Sequence, residues 1–180
     1  NSWKSARGEN LTFSILLKFG DGALPSLAAG EQFRLSCVTT LALLSFLKEN
    51  GIETLVKWPN DIYAGDRKIC GMLIENSLKG QQMHTSTIGI GLNVNETVFP
   101  EYLPNPVSMA SITGRKYDTK TLLEEFLGCF DEKLDLAFSE NGSARLMNDY
   151  TSRMYRRGTF AAYRDKADGS IFEGKINGIR

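Results

Sequence analysis

The first part of the chain shows a strand pattern followed by a helix pattern. Residues 10–19 (NLTFSILLKF) are rich in apolar and β-branched side chains at alternating positions, which predicts a strand. From Glu31 to Asn50 the apolar side chains recur every three or four residues, which predicts a helix with one wide apolar face. Gly51 supplies the glycine that is common just after a helix.

A run of strands is predicted next. Residues 54–58 (TLVKW) form one strand, and residues 61–64 (DIYA) and 67–75 (RKICGMLIE) form a hairpin around the turn at Gly65–Asp66. Residues 84–95 (HTSTIGIGLNVN) alternate regularly and predict a further strand.

The second half predicts two helices and a separate hairpin. Residues 121–124 (TLLE) have the spacing of a capping box, so a helix is expected to begin there and to end near Phe138. A short helix is expected at about residues 144–151, and residues 158–178 predict a β-hairpin with its turn at Asp168–Gly169. Because strands dominate the centre and helices are interspersed, the pattern favours an α+β layer fold.

Composition narrows the classes of function. The 180 residues include 21 basic and 21 acidic side chains, so charge gives no reason to expect nucleic acid as the main partner. The single histidine, His84, excludes multi-histidine metal sites. The three cysteines are widely spaced without a CxxC pair, which predicts free thiols in a reducing compartment. No signal peptide is visible and no apolar run is long enough to span a bilayer, so a cytoplasmic protein is expected.

The predicted hairpin concentrates polar side chains. With the turn at residues 65–66, Tyr63 would lie opposite Lys68 and Asp61 opposite Cys70, and alternation would place all four on one face. A slip of one residue would break this grouping. A carboxylate beside a lysine is either a cross-strand ion pair at a solvated hairpin end or part of an active site, and the hairpin alone leaves both readings open.

The strand TIGIGLNVN has two contrasting faces. One face carries Thr87, Gly89, Gly91, Asn93 and Asn95. A glycine costs about 0.5–1 kcal/mol in a regular element, so two of them indicate close approach of a ligand or of another backbone, with tight packing against a helix as the alternative. Neither a dinucleotide-binding GxGxxG before a helix nor a Walker phosphate loop occurs. The other face is apolar throughout: Ile88, Ile90, Leu92 and Val94.

The segment WPND is predicted to end a strand. Pro59 restricts Trp58 to extended geometry and belongs at a strand end, so Asn60 and Asp61 would be presented at its tip. An amide there suits contact with a ligand, and a carboxylate suits Mg²⁺ or another cation. Trp3 is either a partly buried anchor or a stacking platform for a base. Together with the lysines and glycines, these groups describe a phosphate-handling site without a phosphate loop.

Three motifs in this order and spacing closely resemble the catalytic domain of biotin protein ligases. They are residues 56–63 (VKWPNDIY), 66–75 (DRKICGMLIE) and 89–95 (GIGLNVN). The resemblance implies an α+β fold with a mixed, largely antiparallel sheet packed by helices, related to the fold shared by class II aminoacyl-tRNA synthetases and biotin ligases.

The resemblance also implies a domain organisation. Residues 1–153 would form the catalytic domain, with its N-terminal part missing, and residues 154–180 would begin a truncated, SH3-like C-terminal domain. The chain lacks an initiator methionine and stops within a strand-like pattern, so a fragment of a longer protein is expected. The family's Gly/Arg-rich loop would precede Trp3, so the fragment alone could be inactive.

The activity that the resemblance implies has two steps. Biotin and MgATP give biotinyl-5′-AMP and pyrophosphate, and the biotinyl group then passes to a lysine of a biotin carboxyl carrier domain, such as that of acetyl-CoA carboxylase. Lys68 would be the central catalytic lysine, between the biotin carboxylate and the α-phosphate. Asp61 and Lys57 would be the other catalytic residues, and Asp61 would also hold Mg²⁺.

Binding residues are implied in the same way. Lys68 and three glycines would bind biotin: Gly71, Gly89 and Gly91. Three further residues would bind the nucleotide, the tryptophan by stacking on adenine: Trp3, Asn60 and Asn93.

Alternatives remain at the level of sequence. A lipoate or octanoyl transferase of the same fold would not use biotin, and a non-catalytic, biotin-sensing regulator would bind biotin without turning over ATP. A plain α+β interaction module would carry the hairpin charges only as surface charges. The expected partners are biotin, ATP and a carboxylase carrier domain, with neither membrane nor nucleic acid contacted by this segment, in a monomer or homodimer.

Overall fold

The predicted strands of the first half assemble into a single sheet. The computed structural model describes residues 7–20 and 24–179. The strands of this sheet are β1 (Leu11–Lys18), β2 (Leu55–Lys57), β3 (Asp61–Ala64), β4 (Arg67–Lys79) and β5 (Gln82–Leu92). Their order across the sheet is β1-β5-β4-β3-β2, and every neighbouring pair is antiparallel. The largely antiparallel sheet is therefore confirmed.

The helices form a layer on one face of this sheet. They are α1 (Phe33–Glu49), preceded by a 3₁₀ turn at Ala29–Glu31, α2 (Met109–Thr113), α3 (Thr119–Phe138) and α4 (Gly142–Ser152). The ring of Phe126 in α3 joins the layers, because it lies 5.6 Å from the ring of Phe13 in β1 and 6.0 Å from that of Phe46 in α1. The predicted α+β layer fold is confirmed.

The beginning of α3 differs from the prediction. The N-cap is Asp118, whose carboxylate accepts hydrogen bonds from the main-chain N (2.8 Å) and Oγ1 (2.9 Å) of Thr121. The helix therefore begins three residues before the predicted capping box. The Asp118 carboxylate accepts a hydrogen bond from a free N–H group of the first helical turn, as the side chain of Thr121 was expected to do. Because Asp118 lies earlier in the chain, the helix begins earlier.

Alternation along the strands separates a core face from an outward face. In β5 and just beyond it, Ile88, Ile90, Leu92 and Val94 are all buried, so the apolar face predicted for this segment is confirmed. The three cysteines are buried free thiols, as expected: Cys37, Cys70 and Cys129.

A second, two-stranded sheet follows α4. It consists of β6 (Phe160–Arg164) and β7 (Ile171–Lys175), and it confirms the predicted hairpin. In the segment that leads into it, Met154 forms a parallel bridge with Val56 in β2, and Arg157 forms one with Ile176, the residue that follows β7. Among the described residues, no helix is both long and apolar enough to cross a membrane.

Candidate functional site

One row of residues crosses the whole five-stranded sheet on the face away from the helices. From one edge to the other it comprises Lys57, Asp61, Gly71, Gly91 and Thr12, each paired with the next. The residues beside them in every strand belong to the buried core. Alternation therefore directs this row outward, and it brings together four of the positions predicted for the site.

The central pair of the site is Lys68 and Asp61. Their Nζ and Oδ1 atoms are 2.6 Å apart, and the two side chains are 34% and 22% exposed. Partial burial makes such a pair less screened by water and salt than an ion pair at a fully solvated hairpin end. The predicted proximity of a carboxylate and a lysine is thus present, at the boundary between protein and solvent.

A β-bulge directs Lys68 to this face. Tyr63 pairs with Lys68 as predicted, but Ile62 pairs with Cys70, which leaves Ile69 as an extra residue in β4. Ile69 is fully buried in the core. Because one residue is inserted, Lys68 changes side relative to the remainder of β4 and lies with Asp61 on the outward face.

The bulge also corrects the predicted register. Asp61 lies opposite Gly71, not opposite Cys70. Cys70 is fully buried on the core face, so the prediction that it shares a face with Lys68 is wrong. Burial is the main cause that raises the pKa of the Cys70 thiol, with the Asp61 carboxylate adding to the effect and the Lys68 ammonium opposing it.

Lys57 is held by a tyrosine that was not among the predicted site residues. Its Nζ donates a hydrogen bond of 2.8 Å to the hydroxyl of Tyr63 and lies 4.6 Å from the centre of that ring. Tyr63 is buried, whereas Lys57 is exposed. A cation over an aromatic face and a hydrogen bond to the same side chain restrict where the ammonium can lie.

The main chain of Lys68 is held by a loop that sequence reasoning did not connect to the site. Its N–H donates to the carbonyl of Asn105 at 2.8 Å, and its carbonyl accepts from the N–H of Val107 at 2.9 Å. Pro106 pairs with Lys68 in a parallel bridge. The signal in the sequence was PNP, because a residue before proline is restricted to the extended geometry that suits strand-like pairing.

Gly89 lies in the next outward row, between Leu73 and Ser14. A Cβ placed on Gly89 would meet the carbonyl oxygen of Leu73 at 3.7 Å and Oγ of Ser14 at 3.9 Å, which are ordinary contacts. The alternative of tight packing against a helix therefore does not explain this glycine. The close approach of a ligand or of another backbone to Gly89 stays a prediction.

Two asparagines of the predicted site have structural bonds of their own. Asn60 donates from Nδ2 to the carbonyl of Met72 at 2.9 Å, and its carbonyl accepts from Met72 N–H at 2.9 Å. Asn93 is buried and donates from Nδ2 to the carbonyl of Val107 at 3.0 Å. Both amides thus support the segments that hold Lys68, and their predicted contacts with a nucleotide stay predictions.

Metal and base contacts were also predicted. Trp3 lies outside the described residues. Within residues 7–20 and 24–179, no three side chains among His, Cys, Asp and Glu come together as a metal site would require. A single carboxylate such as Asp61 does fit Mg²⁺ that arrives with a nucleotide, because this ion is commonly held by one or two carboxylates, water and substrate phosphates.

Comparison with known proteins gives a consistent family. Residues 1–93 match the sequence model of the biotin/lipoate A/B protein ligase family. The biotin–[acetyl-CoA-carboxylase] ligase of Paracoccus denitrificans is 30% identical over 175 residues, which are 92% of this chain and 70% of that protein. The bifunctional ligase/repressor BirA of Bacillus subtilis is 29% identical over 135 residues, which are 73% of this chain. The chain spans only 40% of the length of that Bacillus protein.

Solved structures agree with the sequence comparison. The biotin protein ligase of Aquifex aeolicus, in complex with biotin and ATP, matches with a TM-score of 0.74 and 28% identity. The match covers 100% of this chain and 71% of the Aquifex chain. The fold of the described residues is therefore shared with this protein.

Proposed function

We propose the following function for this chain, which belongs to the biotin/lipoate A/B protein ligase family and is a biotin protein ligase catalytic domain. It activates biotin with ATP and transfers the biotinyl group to a carrier-protein lysine. In the first step the biotin carboxylate attacks the α-phosphate of ATP, and pyrophosphate leaves. In the second step a lysine amine attacks the acyl carbon of biotinyl-5′-AMP, AMP leaves, and the amine loses a proton. The carrier would be a carboxylase domain.

The ion pair of Lys68 with Asp61 is the observation that carries this proposal. The Lys68 ammonium lies on the outward face and pairs with Asp61, which is the cross-strand partner of Gly71, and a carboxylate and a phosphate would both meet it there. A fixed positive charge there would lower the repulsion between the two anions and stabilise the charge that develops on the phosphorus oxygens. Asp61 would hold that ammonium in place and meet the cation that accompanies ATP.

The proposal extends to the remaining predicted site residues. Gly71, Gly89 and Gly91 leave β4 and β5 without side chains over a contiguous area, which suits a flat ring lying against the sheet. Lys57, positioned by Tyr63, would raise the positive potential on the side where phosphates lie. Asn60, Asn93 and Trp3 would contact the nucleotide.

We also propose that residues 1–153 form the catalytic unit and that residues 154–180 begin an SH3-like domain. The separate two-stranded sheet of β6 and β7 supports this division. It begins shortly after Met154 and Tyr155, which pair with and hydrogen-bond to Val56 in the edge strand β2.

The test is a direct assay for the intermediate. The full-length protein is incubated with biotin and MgATP without any carrier, and biotinyl-AMP is sought by mass spectrometry. Parallel reactions contain lipoate or octanoate in place of biotin. Formation of biotinyl-AMP alone supports the proposal; a lipoyl or octanoyl adenylate would assign the chain to the transferases of the same fold, and biotin binding without any adenylate would make it a sensor.

The Lys68→Ala variant tests the mechanism. Removal of one preorganised charge partner costs about 2.7–4 kcal/mol in the transition state, so adenylate formation should slow by about 10²–10³-fold. Lys79→Ala is the matched control, because Lys79 is an exposed lysine at the far end of the same strand. An unchanged rate in Lys68→Ala would show that Lys68 is not the catalytic lysine.

A further inference from the structure

The turn of the β3–β4 hairpin is fastened from two directions although it is exposed. The side chain of Asp66 is 81% exposed, and its Oδ1 lies 4.0 Å from a guanidinium nitrogen of Arg156. Its Oδ1 accepts a hydrogen bond from the hydroxyl of Tyr155, and its carbonyl accepts one of 2.6 Å from Nδ2 of Asn105. Exposed hairpin turns are usually the mobile part of a sheet. These attachments therefore restrain the turn end of β4, where Lys68 lies.

Tyr155 reaches the site by a second contact. Its ring packs against that of Tyr63 with 5.2 Å between their centres. Tyr63 is the cross-strand partner of Lys68 and accepts the hydrogen bond of Lys57 Nζ. Tyr155 therefore supports the side chain that lies between the two lysines.

The main chain of Tyr155 is itself anchored to the sheet. Its N–H donates to the carbonyl of Val56 at 2.8 Å, and Val56 N–H donates to the carbonyl of Arg153 at 3.0 Å. Two residues later, Arg157 pairs with Ile176 after β7. Tyr155 thus stands at the junction between the five-stranded sheet and the two-stranded sheet.

Burial and the bond to Asp66 both raise the pKa of the Tyr155 phenol, with burial the larger cause. The phenol therefore keeps its proton throughout the neutral range.

We propose that Tyr155 is a positioning residue for Lys57 and Lys68: its hydroxyl holds the hairpin turn through Asp66, and its ring holds Tyr63. This inference rests on the proposed function for its kinetic consequence, but the positioning itself does not. It also gives the segment between the two sheets a role in the first step of the reaction, beyond joining two folded units.

The kinetic test uses Tyr155→Phe, Tyr155→Ala and Asp66→Ala in the full-length protein, with Tyr102→Ala as control because Tyr102 is 67% exposed. A small displacement of catalytic groups can cost up to about 10²-fold, so Tyr155→Ala should lower kcat for biotinyl-AMP formation by about tenfold or more, with the KM for biotin nearly unchanged. Tyr155→Phe keeps the ring and should lose less.

A double variant separates the two contacts. If the hydroxyl acts through Asp66, Tyr155→Phe combined with Asp66→Ala should be no slower than the slower single variant, since both remove one interaction. Additive losses would contradict the route through Asp66. A lower Tm of Tyr155→Ala with wild-type kcat per folded molecule would overturn the proposal, because a merely structural residue behaves in that way.

Failure of the proposed function would be visible separately. If the wild-type protein forms no biotinyl-AMP, hydrogen exchange of the amides of residues 65–68 decides the positioning role. Faster exchange in Tyr155→Ala than in Tyr102→Ala supports the inference, and equal exchange refutes it.

Discussion

At the scale of single residues, the side chain of Lys68 depends on its neighbour Ile69. Without the extra residue, Lys68 would have the same parity as Cys70 and Met72, which both face the core. Burial of a lysine there would be strongly unfavourable. The apolar side chain of Ile69 is buried in its place. Adjacent residues thus serve the two faces of the sheet: Ile69 fills the core, and Lys68 faces outward.

Gly89→Ala is expected to separate binding from stability. The ordinary van der Waals contacts that a Cβ on Gly89 would make predict a change of no more than about 0.5 kcal/mol in the free energy of unfolding. A methyl group inserted under a closely packed ligand costs about 1–3 kcal/mol, so the Kd for biotin, measured by titration calorimetry, should rise by about 5–150-fold.

The matched control for this glycine is Gly128→Ala. Gly128 lies in α3, where a Cβ would meet nothing within 4 Å. It should stabilise the protein slightly without changing biotin affinity. Unchanged affinity in Gly89→Ala would remove Gly89 from the binding surface.

The cysteines are expected to be unreactive in the folded protein. Burial raises the pKa of Cys37 to about 12, and burial together with Glu49 raises that of Cys129 to about 11. The pKa of Cys70 is raised as well. At pH 8 the nucleophilic thiolates are therefore scarce, and iodoacetamide should label these thiols only after unfolding in urea at the same pH. Rapid labelling of Cys70 in the native protein, detected by peptide mass spectrometry, would contradict its position in the core.

At the scale of elements, the apolar periodicity of the sequence predicted those strands and helices that bury one continuous face. The positions of β1 and α1 followed from their apolar spacing, because each has one continuous face in the core. The bulge in β4 did not follow, since it is set by which side chain the core can accept at one point. The loop at Asn105–Val107 was placed beside Lys68 by pairing over a long sequence separation, which local patterns do not encode.

Residues of the candidate site that are close along the chain could be placed together from the sequence, whereas those that are distant along the chain could not. Lys57, Asp61 and the glycines lie in neighbouring strands connected by short turns, so spacing along the chain translates into spacing across the sheet. Tyr155 lies 89 residues from Asp66, its hydrogen-bond partner. Only the folded chain brings them together.

The cap of α3 gives a test of stability against pH. Hydrogen bonds from the main chain and side chain of Thr121 lower the pKa of Asp118 below its ordinary value of 3.8. A lowered pKa in the folded state means that the carboxylate stabilises the fold at neutral pH and that this stabilisation is lost as the pH falls below 3.8 through the lowered value.

Asp118→Asn and Asp118→Ala should therefore differ from the wild type in Tm at neutral pH, the alanine variant by more, and the difference should shrink in acid. Asp131→Ala, at an exposed position inside the same helix, serves as control and should change Tm little. Thermal unfolding followed by circular dichroism at several pH values provides the measurement. A difference that persists undiminished at low pH would show that the ionised cap is not its source.

At the scale of the whole molecule, the buried core is built jointly by strands and helices. Phe126 is almost fully buried and contacts aromatic rings of β1, α1 and its own helix. Phe126→Ala is expected to lower the free energy of unfolding by about 3–5 kcal/mol, measured by urea denaturation. Leu127→Ala, at the next position but 36% exposed, should cost clearly less. Equal costs would mean that α3 does not bury this face.

The division of the sheet into a core face and an outward face has a genetic consequence. Lys57, Asp61 and Lys68 lie on the face that the core does not use, whereas Ile88, Ile90 and Leu92 fill the core from the same sheet. Random mutation should therefore yield two kinds of defective allele. Alleles of the core face should be temperature-sensitive and reduce the amount of protein in the cell. Alleles of Lys57, Asp61 and Lys68 should fail at every temperature with the protein present in normal amounts, so growth temperature and abundance together would sort new alleles by the face they affect.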